Sequence, residues 1–423
     1  MSFEIIENIF TIKADMVMTT AMAAALLIIG YFIKSKVKFL EKYCIPAPVV
    51  GGFLFMLVTW VGHTTGAFSF NFTTTLQSFF MLVFFTTVGL GASIALLKKG
   101  GALLIVYWLV AGVVSIFQNG IGIAVSNITG LEPAYGLLSS AITMIGGHGA
   151  GAAYGLTFEG MGYPSGQLVG AAAATFGLIS SVMVGGPVAR RLIEKYNLKP
   201  DHSDDLGTSV TEVNGGNGGI LSINASSGQV LSGLDIMKNV TAILVCMALG
   251  TIVSEWIGKL IDMSFPTYVG AMFVAVIVRN INEKARWYKF DYPLVEGIGD
   301  VTLGLYLSIA MMTLKMWELA DLAGPMLIVL ASQVIFLVLF SYFVVFRILG
   351  KNYDAAVMCA GLLGHGLGAT PTAIVNLTAV NDRYGMSRKA VMIVPIVGAF
   401  LVDIIYQPQT VWFIKTFVEN LVK

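Results

Sequence analysis

Apolar stretches of membrane-spanning length follow one another along this chain, and short polar segments that hold most of the charged residues separate them. A helix needs about 20 mostly apolar residues to cross the hydrocarbon core of a bilayer. The pattern predicts five spans in each half of the chain. Their expected limits are 16–33, 46–61, 74–97, 101–127 and 165–193, followed by 237–258, 265–281, 294–318, 324–346 and 388–413.

One further apolar stretch lies between the fourth and fifth spans of each half, at 135–160 and at 355–380. Each contains the letters GHGxGA, at 147–152 and at 364–369, so the two copies begin 217 residues apart. So many glycines make a stable helix interior unfavourable. The repetition predicts an internal duplication, in which each copy brings non-helical backbone into the membrane.

The duplication divides the chain into an N-terminal repeat, 1–193, and a C-terminal repeat, 237–423. The segment between them, 194–236, is polar and rich in Gly, Ser and Asn, which is typical of a flexible linker. Pro46 opens the second span of the first repeat, and Pro266 opens its counterpart 220 residues later. This pair supports the duplication less strongly than the glycine motif does.

Composition agrees with a membrane protein, since 56% of the residues are hydrophobic and only 12% are charged. A soluble domain carries about 25% charged residues. Cys44, Cys246 and Cys359 have no CxxC spacing, which argues against a metal site or a disulfide framework. The first residues lack a basic region and a cleavage site, so we expect no removable signal peptide. Neither a cofactor nor nucleic acid is expected as a partner.

The positions of Lys and Arg predict the topology. If the N-terminus is outside and both glycine-rich stretches enter and leave on one side, the inside segments hold 20 of the 25 basic residues. A complete crossing by either stretch would destroy this bias, so both are predicted to be re-entrant hairpins. Five crossings per half then invert the second repeat relative to the first. The fold class is therefore an all-α membrane protein with two inverted five-helix repeats and two hairpins, with both termini periplasmic and the linker cytoplasmic.

Exposed backbone in the two hairpins predicts a binding site where their tips meet. Inside a bilayer such backbone is tolerated only where it lines a cavity or is buried in protein. Amides at helix N-termini attract carboxylates, whereas carbonyl groups suit Na⁺. Close packing of small residues is the alternative explanation of the glycines. The candidate substrate-binding residues are Gly147, His148, Gly149, Gly151, Gly364, His365, Gly366, Gly368, Thr370, Thr372 and Asp403.

Asp403 is the charged candidate, because it lies about 15 residues into the last span, where a buried carboxylate is costly. It has three open roles: binding a substrate ammonium group, ligating Na⁺ or pairing with a structural donor. The amides before Gly120 are open to ion binding or interhelical hydrogen bonding. The candidate Na⁺ ligands are Gln118, Asn119, Ser140, Thr143 and Asn376.

His148 and His365 occupy the same place in the two motifs. Each has three open roles, which are contacting the substrate, relaying a proton and holding its hairpin in place by a hydrogen bond. Arg190 and Arg191 would suit a substrate carboxylate. Their place at the inner end of a span favours the alternative role of positively charged anchors.

The runs SAITMIGGHGAGAAYG (140–155), GGPVARRL (185–192) and GKNYDAAVMCAGLLGHGLGATPTAIVNL (350–377) resemble those of the bacterial sodium/glutamate symporter family. The resemblance covers nearly the whole chain. It implies Na⁺-coupled uptake of L-glutamate across the bacterial inner membrane by a lipid-embedded homodimer. By analogy with a related family of hydroxycarboxylate carriers, it also implies alternating access of the elevator type.

Three other functions remain as alternatives at this point. A Na⁺-coupled carrier of another small carboxylate or amino acid, such as a hydroxycarboxylate, would use the same architecture. A passive channel would also use re-entrant loops, although a continuous polar pore would be expected. A membrane enzyme is disfavoured, because no acidic or cysteine ligands have the right spacing to complete a metal site beside the two histidines.

Overall fold

The computed structural model describes residues 2–6, 9–42, 45–93, 95–200, 232–261, 266–315 and 322–419. Helices dominate this part of the chain, but a three-stranded sheet departs from the all-α prediction. Strand β1 (Ser2–Ile6) is antiparallel to β2 (Ile9–Ala14), which is parallel to β3 (Ser69–Phe72). Phe, Ile and Thr in these strands favour extended backbone. Only the spans had been predicted, so the sheet was missed.

The helices are numbered α1 to α17 along the chain. Four π-helical turns lie among them, at Leu138–Ile142, Ser341–Val345, Val397–Leu401 and Lys415–Glu419. The helices are α1 (Met16–Lys36), α2 (Lys38–Lys42), α3 (Ala47–Thr64), α4 (Thr75–Gly91), α5 (Ala95–Thr129), α6 (Pro133–Leu137), α7 (Gly147–Gly160), α8 (Gly166–Tyr196), α9 (Gly233–Ile261), α10 (Thr267–Ala285), α11 (Tyr292–Met312), α12 (Ala323–Phe340), α13 (Phe346–Ile348), α14 (Tyr353–Gly368), α15 (Thr370–Tyr384), α16 (Arg388–Ile396) and α17 (Val402–Ile414).

Helices occupy all ten stretches predicted to span the membrane. Among the described residues, eight helical stretches are long and apolar enough to cross a bilayer. The other two are α4, which has 17 residues, and α10, which carries Arg279, Glu283 and Lys284 near its end. The predicted linker, 194–236, overlaps the end of α8 and the start of α9, and its central part, 201–231, lies outside the described residues.

The described chain forms two compact units, and each draws on both sequence repeats. Unit 1 comprises Met1–Glu41, Ile45–Ala95 and Gly219–Ala320, and therefore holds the first three predicted spans of each repeat. Unit 2 comprises Lys42–Cys44, Leu96–Gly218 and Asp321–Lys423, and holds the last two spans of each repeat with both glycine motifs. Grouping in space thus differs from grouping along the sequence.

Unit 1 contains paired contacts that repeat at the spacing of the duplication. Gly30 of α1 packs directly on the main chain of Ala47 in α3. Gly250 of α9, which follows Gly30 by 220 residues, packs on the main chain of Ala271 in α10. Pro46 and Pro266 precede α3 and α10 as their N-cap residues, where a missing amide hydrogen costs little. The first two helices of each repeat therefore pack in the same way.

The third predicted spans of the two repeats, α4 and α11, run antiparallel within unit 1. Phe80, early in α4, packs in a cluster with Ile309 and Met312, late in α11. Leu90, at the end of α4, shares a different cluster with Val295 near the start of α11. Two counterpart helices with opposite directions are the relation that an inverted duplication requires.

Unit 2 is organised around α5, α8 and the last predicted span, which comprises α16, α17 and the intervening π-helical turn. Trp108 Nε1 of α5 donates to the Leu401 carbonyl at 2.6 Å. Two turns further along α5, Ser115 Oγ donates to Gln409 Oε1 at 2.6 Å. Contacts that advance together show that α5 and the last span are parallel neighbours. Helix α8 packs against α7 and α14, the helices that carry the glycine motifs.

Candidate functional site

The first glycine motif lies in a broken helical segment, 133–160, whose ends are close together. The Tyr135 hydroxyl donates to the Pro164 carbonyl at 2.7 Å. In a straight helix, residues that far apart in sequence would be separated by about 40 Å. The chain therefore turns back between α6 and α7. The turn follows Ser140, where φ is −121° and ψ is −142°, and it includes Gly147, where φ is +61°.

The second motif lies in a broken segment of the same kind, 353–384. Thr372 Oγ1 donates to the Gly364 carbonyl at 2.9 Å, and Asn376 Nδ2 donates to the Ala360 carbonyl at 3.1 Å. These contacts hold α15 antiparallel to α14. At the base of the segment, the Tyr353 hydroxyl donates to the Gly385 carbonyl, just as Tyr135 closes the first segment.

The break in the second segment falls at Ala369, where φ is +73° and ψ is 174°. Only glycine adopts this backbone region readily, and another residue there carries strain of about 1–3 kcal/mol. The two breaks meet, because a methyl group added to Gly147 would lie 3.2 Å from Ala369 Cβ. Both turns of the chain therefore reach one place within unit 2.

The two motifs occupy opposite sides of their breaks, which differs from the equivalent roles expected from the sequence. Helix α7 begins at Gly147, so the first motif forms the first turn of a helix. Helix α14 ends at Gly368, so the second motif forms the last turn of a helix. The amides of Gly364 to Gly368 are therefore not the donors that the sequence suggested. Thr370 and Thr372, at the start of α15, lie where amide donors are available instead.

Four helix ends of two kinds thus converge at the breaks. The N-termini of α7 and α15 carry partial positive charge and suit an anion. The C-termini of α14 and of the π-helical turn 138–142 carry partial negative charge and suit a cation. The side chain of Thr372 is buried, and Gly149 is partly exposed beside the buried Gly147 and Gly151. One short region therefore offers matching groups for both signs of charge.

Both motif histidines are buried and bonded to a hydroxyl group on a neighbouring span. His148 Nε2 lies 3.0 Å from Thr175 Oγ1 of α8, and that hydroxyl already donates to the Ala171 carbonyl at 2.9 Å. His148 must therefore be the donor, with its proton on Nε2. His365 Nε2 lies 2.9 Å from the hydroxyl of Tyr107 in α5. Each histidine ties its broken segment to a different long helix.

Asp403 lies next to the first break. It begins the first turn of α17, and its side chain is half-buried. None of the hydrogen bonds or ion pairs among the described residues involves it. One turn later, the Tyr406 hydroxyl interacts electrostatically with the Asp403 carboxylate and lies against Gly146 in the first break. A carboxylate without a protein cation suits a positively charged ligand.

The candidate Na⁺ ligands divide into two groups by position. Ser140 and Thr143 line the first turn and donate to the carbonyls of Gly136 and Leu138, both at 2.6 Å. Their oxygen lone pairs remain able to accept a cation. Asn376 uses its amide nitrogen to join α15 to α8 and α14, since it donates to the carbonyls of Ser181 and Ala360.

The remaining two candidates come from α5. Gln118 Nε2 donates to the Gly366 carbonyl at 2.7 Å, which brings it to the end of the second motif. Asn119 Nδ2 lies 3.5 Å from Thr410 Oγ1 of α17. No group of three His, Cys, Asp or Glu residues within the described ranges is arranged to hold a metal ion. Neutral oxygen atoms are thus the main ligand type at this site.

Sequence reasoning missed several polar residues around the breaks. The Tyr154 hydroxyl donates to Gln407 Oε1 at 2.6 Å, and Gln407 Nε2 donates to the Tyr406 hydroxyl at 2.9 Å. This chain joins α7 to α17 beside Gly146. Gln407 followed by Pro408 inside an apolar span was the available signal. Arg190, by contrast, pairs with Glu194 at 2.9 Å on the exposed end of α8, in agreement with an anchoring role.

Comparison with known proteins decides which family has this architecture. The family model described as "Sodium/glutamate symporter" matches residues 12–386. The chain belongs to this family. The sodium/glutamate symporter of Haemophilus influenzae is 40% identical over 92% of this chain and 94% of its own length. That of Escherichia coli is 39% identical over 92% of this chain and 95% of its own length.

Membership of the sodium/glutamate symporter family makes this chain a multi-pass membrane transporter, which is not a class of enzyme. Among solved structures, the sodium proton antiporter MjNhaP1 from Methanocaldococcus jannaschii aligns over 96% of this chain and 98% of that one. Its TM-score is 0.42 and its sequence identity is 12%, a similarity too low to define the helix arrangement.

Proposed function

We propose that this protein couples the uptake of L-glutamate to the entry of Na⁺. The observation that carries the proposal is the contact between Gly147 and Ala369, which brings helix ends of both signs to one point. An anionic amino acid and a cation need such a pair of environments side by side. Family membership and the names of the two relatives support the choice of glutamate and Na⁺.

In this proposal, the substrate carboxylates bind at the N-termini of α7 and α15. Gly147 and His148 supply amides from the first turn of α7, and Thr370 and Thr372 belong to the first turn of α15. Asp403 binds the ammonium group, because its carboxylate has no cationic partner among the described residues and lies one turn from Tyr406 at the first break. The histidines hold the two breaks in place through Thr175 and Tyr107.

Na⁺ binds on the carbonyl side of the breaks. The last turn of α14, which contains Gly366 and Gly368, ends there with its carbonyl groups. Ser140 and Thr143 add hydroxyl oxygens from the first segment. Oxygen ligands of this kind suit a hard cation.

The energetics of uptake favour such coupling. A membrane potential that is negative inside opposes entry of an anion by about 2.3 kcal/mol per charge at 100 mV. One Na⁺ that enters with glutamate cancels this electrical cost and adds its own concentration gradient. A second Na⁺ would make the uptake electrogenic.

The architecture we propose is ten spans in two inverted repeats, with the two broken segments entering the membrane from opposite faces. The antiparallel directions of α4 and α11 support the inversion, and the 20 basic residues on one side support periplasmic termini and a cytoplasmic linker in the inner membrane. Every candidate site residue belongs to unit 2. We therefore propose alternating access in which unit 2 carries the cargo, as in an elevator. The homodimer stays a prediction, and cross-linking in intact membranes would check it.

Uptake of labelled glutamate into proteoliposomes that contain the full chain tests the proposal. An inward Na⁺ gradient should drive accumulation above equilibrium, and an equal choline gradient should not. Citrate in tenfold excess should leave the uptake unchanged. Accumulation that citrate abolishes, or flux that neither saturates nor needs Na⁺, would refute the proposal in favour of another carrier or a channel.

A further inference from the structure

We propose that Gln333 of α12 is a ligand of a coupling Na⁺, in a site that it forms with Gln118 of α5 and Ser139 of the π-helical turn 138–142. The inference deepens the proposed function, since it names a binding residue that the sequence did not suggest. All three side chains are completely buried. Gln118 Oε1, Ser139 Oγ and Gln333 Oε1 share one further property, which is that no described residue forms a hydrogen bond with them.

The contacts of Gln333 place it at the junction of three elements. Its Nε2 donates to the main-chain carbonyl of Gln118 at 2.9 Å and to Ser140 Oγ at 3.1 Å. The amide oxygen is bonded to the same carbon atom as this nitrogen, so it lies beside both groups. Ser139 precedes Ser140 in the chain and brings its hydroxyl to the same junction.

The orientation of the two amides cannot be reversed. Gln118 Nε2 donates to the Gly366 carbonyl at 2.7 Å, and Gln333 Nε2 faces a carbonyl as well. Exchanging nitrogen and oxygen in either side chain would place two acceptor oxygens against each other. The oxygen atoms are therefore the groups left over, and both point away from the carbonyls that hold the nitrogens.

Buried acceptors without a donor are costly, by about 1–3 kcal/mol each, unless a ligand satisfies them. A cluster made only of oxygen acceptors attracts a cation, and carboxamide and hydroxyl oxygens suit hard ions. The ligands are neutral, and no His, Cys, Asp or Glu group of the described chain is arranged to hold a metal here. A monovalent ion fits such a site better than a divalent one, whose charge calls for carboxylates. The coupling ion of the proposed function has this chemistry.

Gln118 also explains how the ion would act on the second break. Its oxygen faces the proposed site, and its nitrogen holds the carbonyl of Gly366 in the last turn of α14. Bound Na⁺ would fix the Gln118 side chain and, through it, the end of the second motif. Ion binding and the shape of the glutamate site would then be linked by one side chain.

Thermal unfolding of the purified full chain without glutamate tests this proposal. The melting temperature is followed as NaCl replaces choline chloride at constant ionic strength, because a bound ion stabilises the folded state in proportion to its occupancy. We expect Gln333→Leu to raise the Na⁺ concentration at the midpoint by about tenfold, which is the effect of losing one charge-assisted contact. An unchanged midpoint would overturn the proposal. The readout is a Na⁺ midpoint, which a purely structural role of the side chain would not move.

Gln409→Leu is the matched control. Gln409 is a half-buried glutamine in α17, but its oxygen accepts from Ser115 at 2.6 Å and its nitrogen faces the Gly112 carbonyl at 3.4 Å. This control should lower the melting temperature without moving the Na⁺ midpoint, and an equal shift in both variants would contradict the proposal.

Gln333→Glu keeps an oxygen ligand and adds charge, so it serves if the leucine variant does not fold. Its Na⁺ midpoint should fall by about tenfold, since a charged acceptor binds more strongly than a neutral one. A midpoint at or above that of the unchanged chain would refute the site. The titration contains no glutamate, so it can succeed if the proposed substrate is wrong. Na⁺-driven glutamate uptake with normal midpoints in both Gln333 variants would reject this site alone.

Discussion

The two broken segments carry the same six-letter motif, yet the chain breaks before the motif in the first segment and after it in the second. In the first, Gly147 opens α7 with a positive φ. In the second, Gly368 closes α14 and the positive φ falls on Ala369. The same letters therefore offer amide groups in one copy and carbonyl groups in the other. A repeated motif predicts that two sites resemble each other, but it does not predict which end of a helix each one forms.

The closing tyrosines show where the difference between the segments arises. Tyr135 precedes Gly147 by 12 residues, and Tyr353 precedes Gly364 by 11. The first of these intervals contains the π-helical turn 138–142 and the kink at Ser140. The second is a continuous helix from Tyr353 to Gly368. An early irregularity ends the first arm before the motif, whereas the second arm continues through it.

The largest effect is expected for Gly364→Val. A Cβ atom at Gly364 would overlap the main chain of Ala373 in the opposite arm, and backbone cannot move aside as a side chain can. We expect destabilisation of about 3 kcal/mol or more and loss of uptake. Gly366→Ala is the control, because its Cβ would meet only the flexible end of Leu337 at 2.8 Å. Folded yield and melting temperature in detergent measure the difference, and equal behaviour of the two variants would show that the arms are not in contact.

The next effect concerns Asp403, which lies beside the first break. Asp403→Asn should reduce gradient-driven glutamate uptake by about 100-fold, since removing one partner of a buried charge pair costs several kcal/mol. Expression should stay normal, because the carboxylate has no hydrogen bond or ion pair to lose among the described residues. Asp300→Asn in α11 of unit 1 is the control and should transport normally. Uptake by Asp403→Asn at the control level would place the ammonium site elsewhere.

A reciprocal pair of substitutions tests where the strain lies. Gly147→Ala should destabilise the protein by about 1–2 kcal/mol, which is the cost of a left-handed conformation for a residue with a Cβ. Ala369→Gly should stabilise it by about 1 kcal/mol, because glycine relieves the strain at φ +73° and loses part of that gain to chain entropy. Denaturant unfolding in detergent micelles measures both. Changes of the same sign would contradict the two breaks as described.

The smallest effect is expected at the bases of the segments. Tyr135→Phe and Tyr353→Phe each remove one hydrogen bond, to Pro164 and Gly385 respectively, at a cost of about 1 kcal/mol. Tyr288→Phe provides a control, because its hydroxyl bonds to the Lys238 carbonyl at an exposed site in unit 1. Hydrogen exchange at the amides of each segment should rise only in the segment that carries the substitution. A rise in both would mean that the segments open together.

Much of this fold followed from the sequence. The ten predicted spans all coincide with helices, because the length and composition of an apolar run determine how it satisfies its own backbone in a membrane. The two glycine-rich stretches were predicted to break and to meet, and Gly147 and Ala369 do lie together. The sheet at Ser2–Ile6 was missed, since short strands leave a weak pattern beside such strong apolar runs.

The candidate site was less predictable than the fold. Asp403 and Gln118 stood out because polar residues are rare inside apolar spans. Gln333 is equally polar and equally deep, but nothing local distinguished it, and its importance depends on contacts with Gln118 and Ser140 from two other elements. Tyr107 is another such case, since its link to His365 joins residues 258 positions apart.

The sequence by itself determined the spans, the duplication and the family, because these depend on local apolar length, on repeated letters and on matching residues along the chain. Tertiary structure alone decided that three spans of each repeat group into one unit and two into the other. It also decided that one motif starts a helix while the other ends one, and which buried oxygens lack a donor. The physical reason is that helix ends and unpaired groups gain their chemistry from what lies across from them in space, and residues distant in sequence supply it.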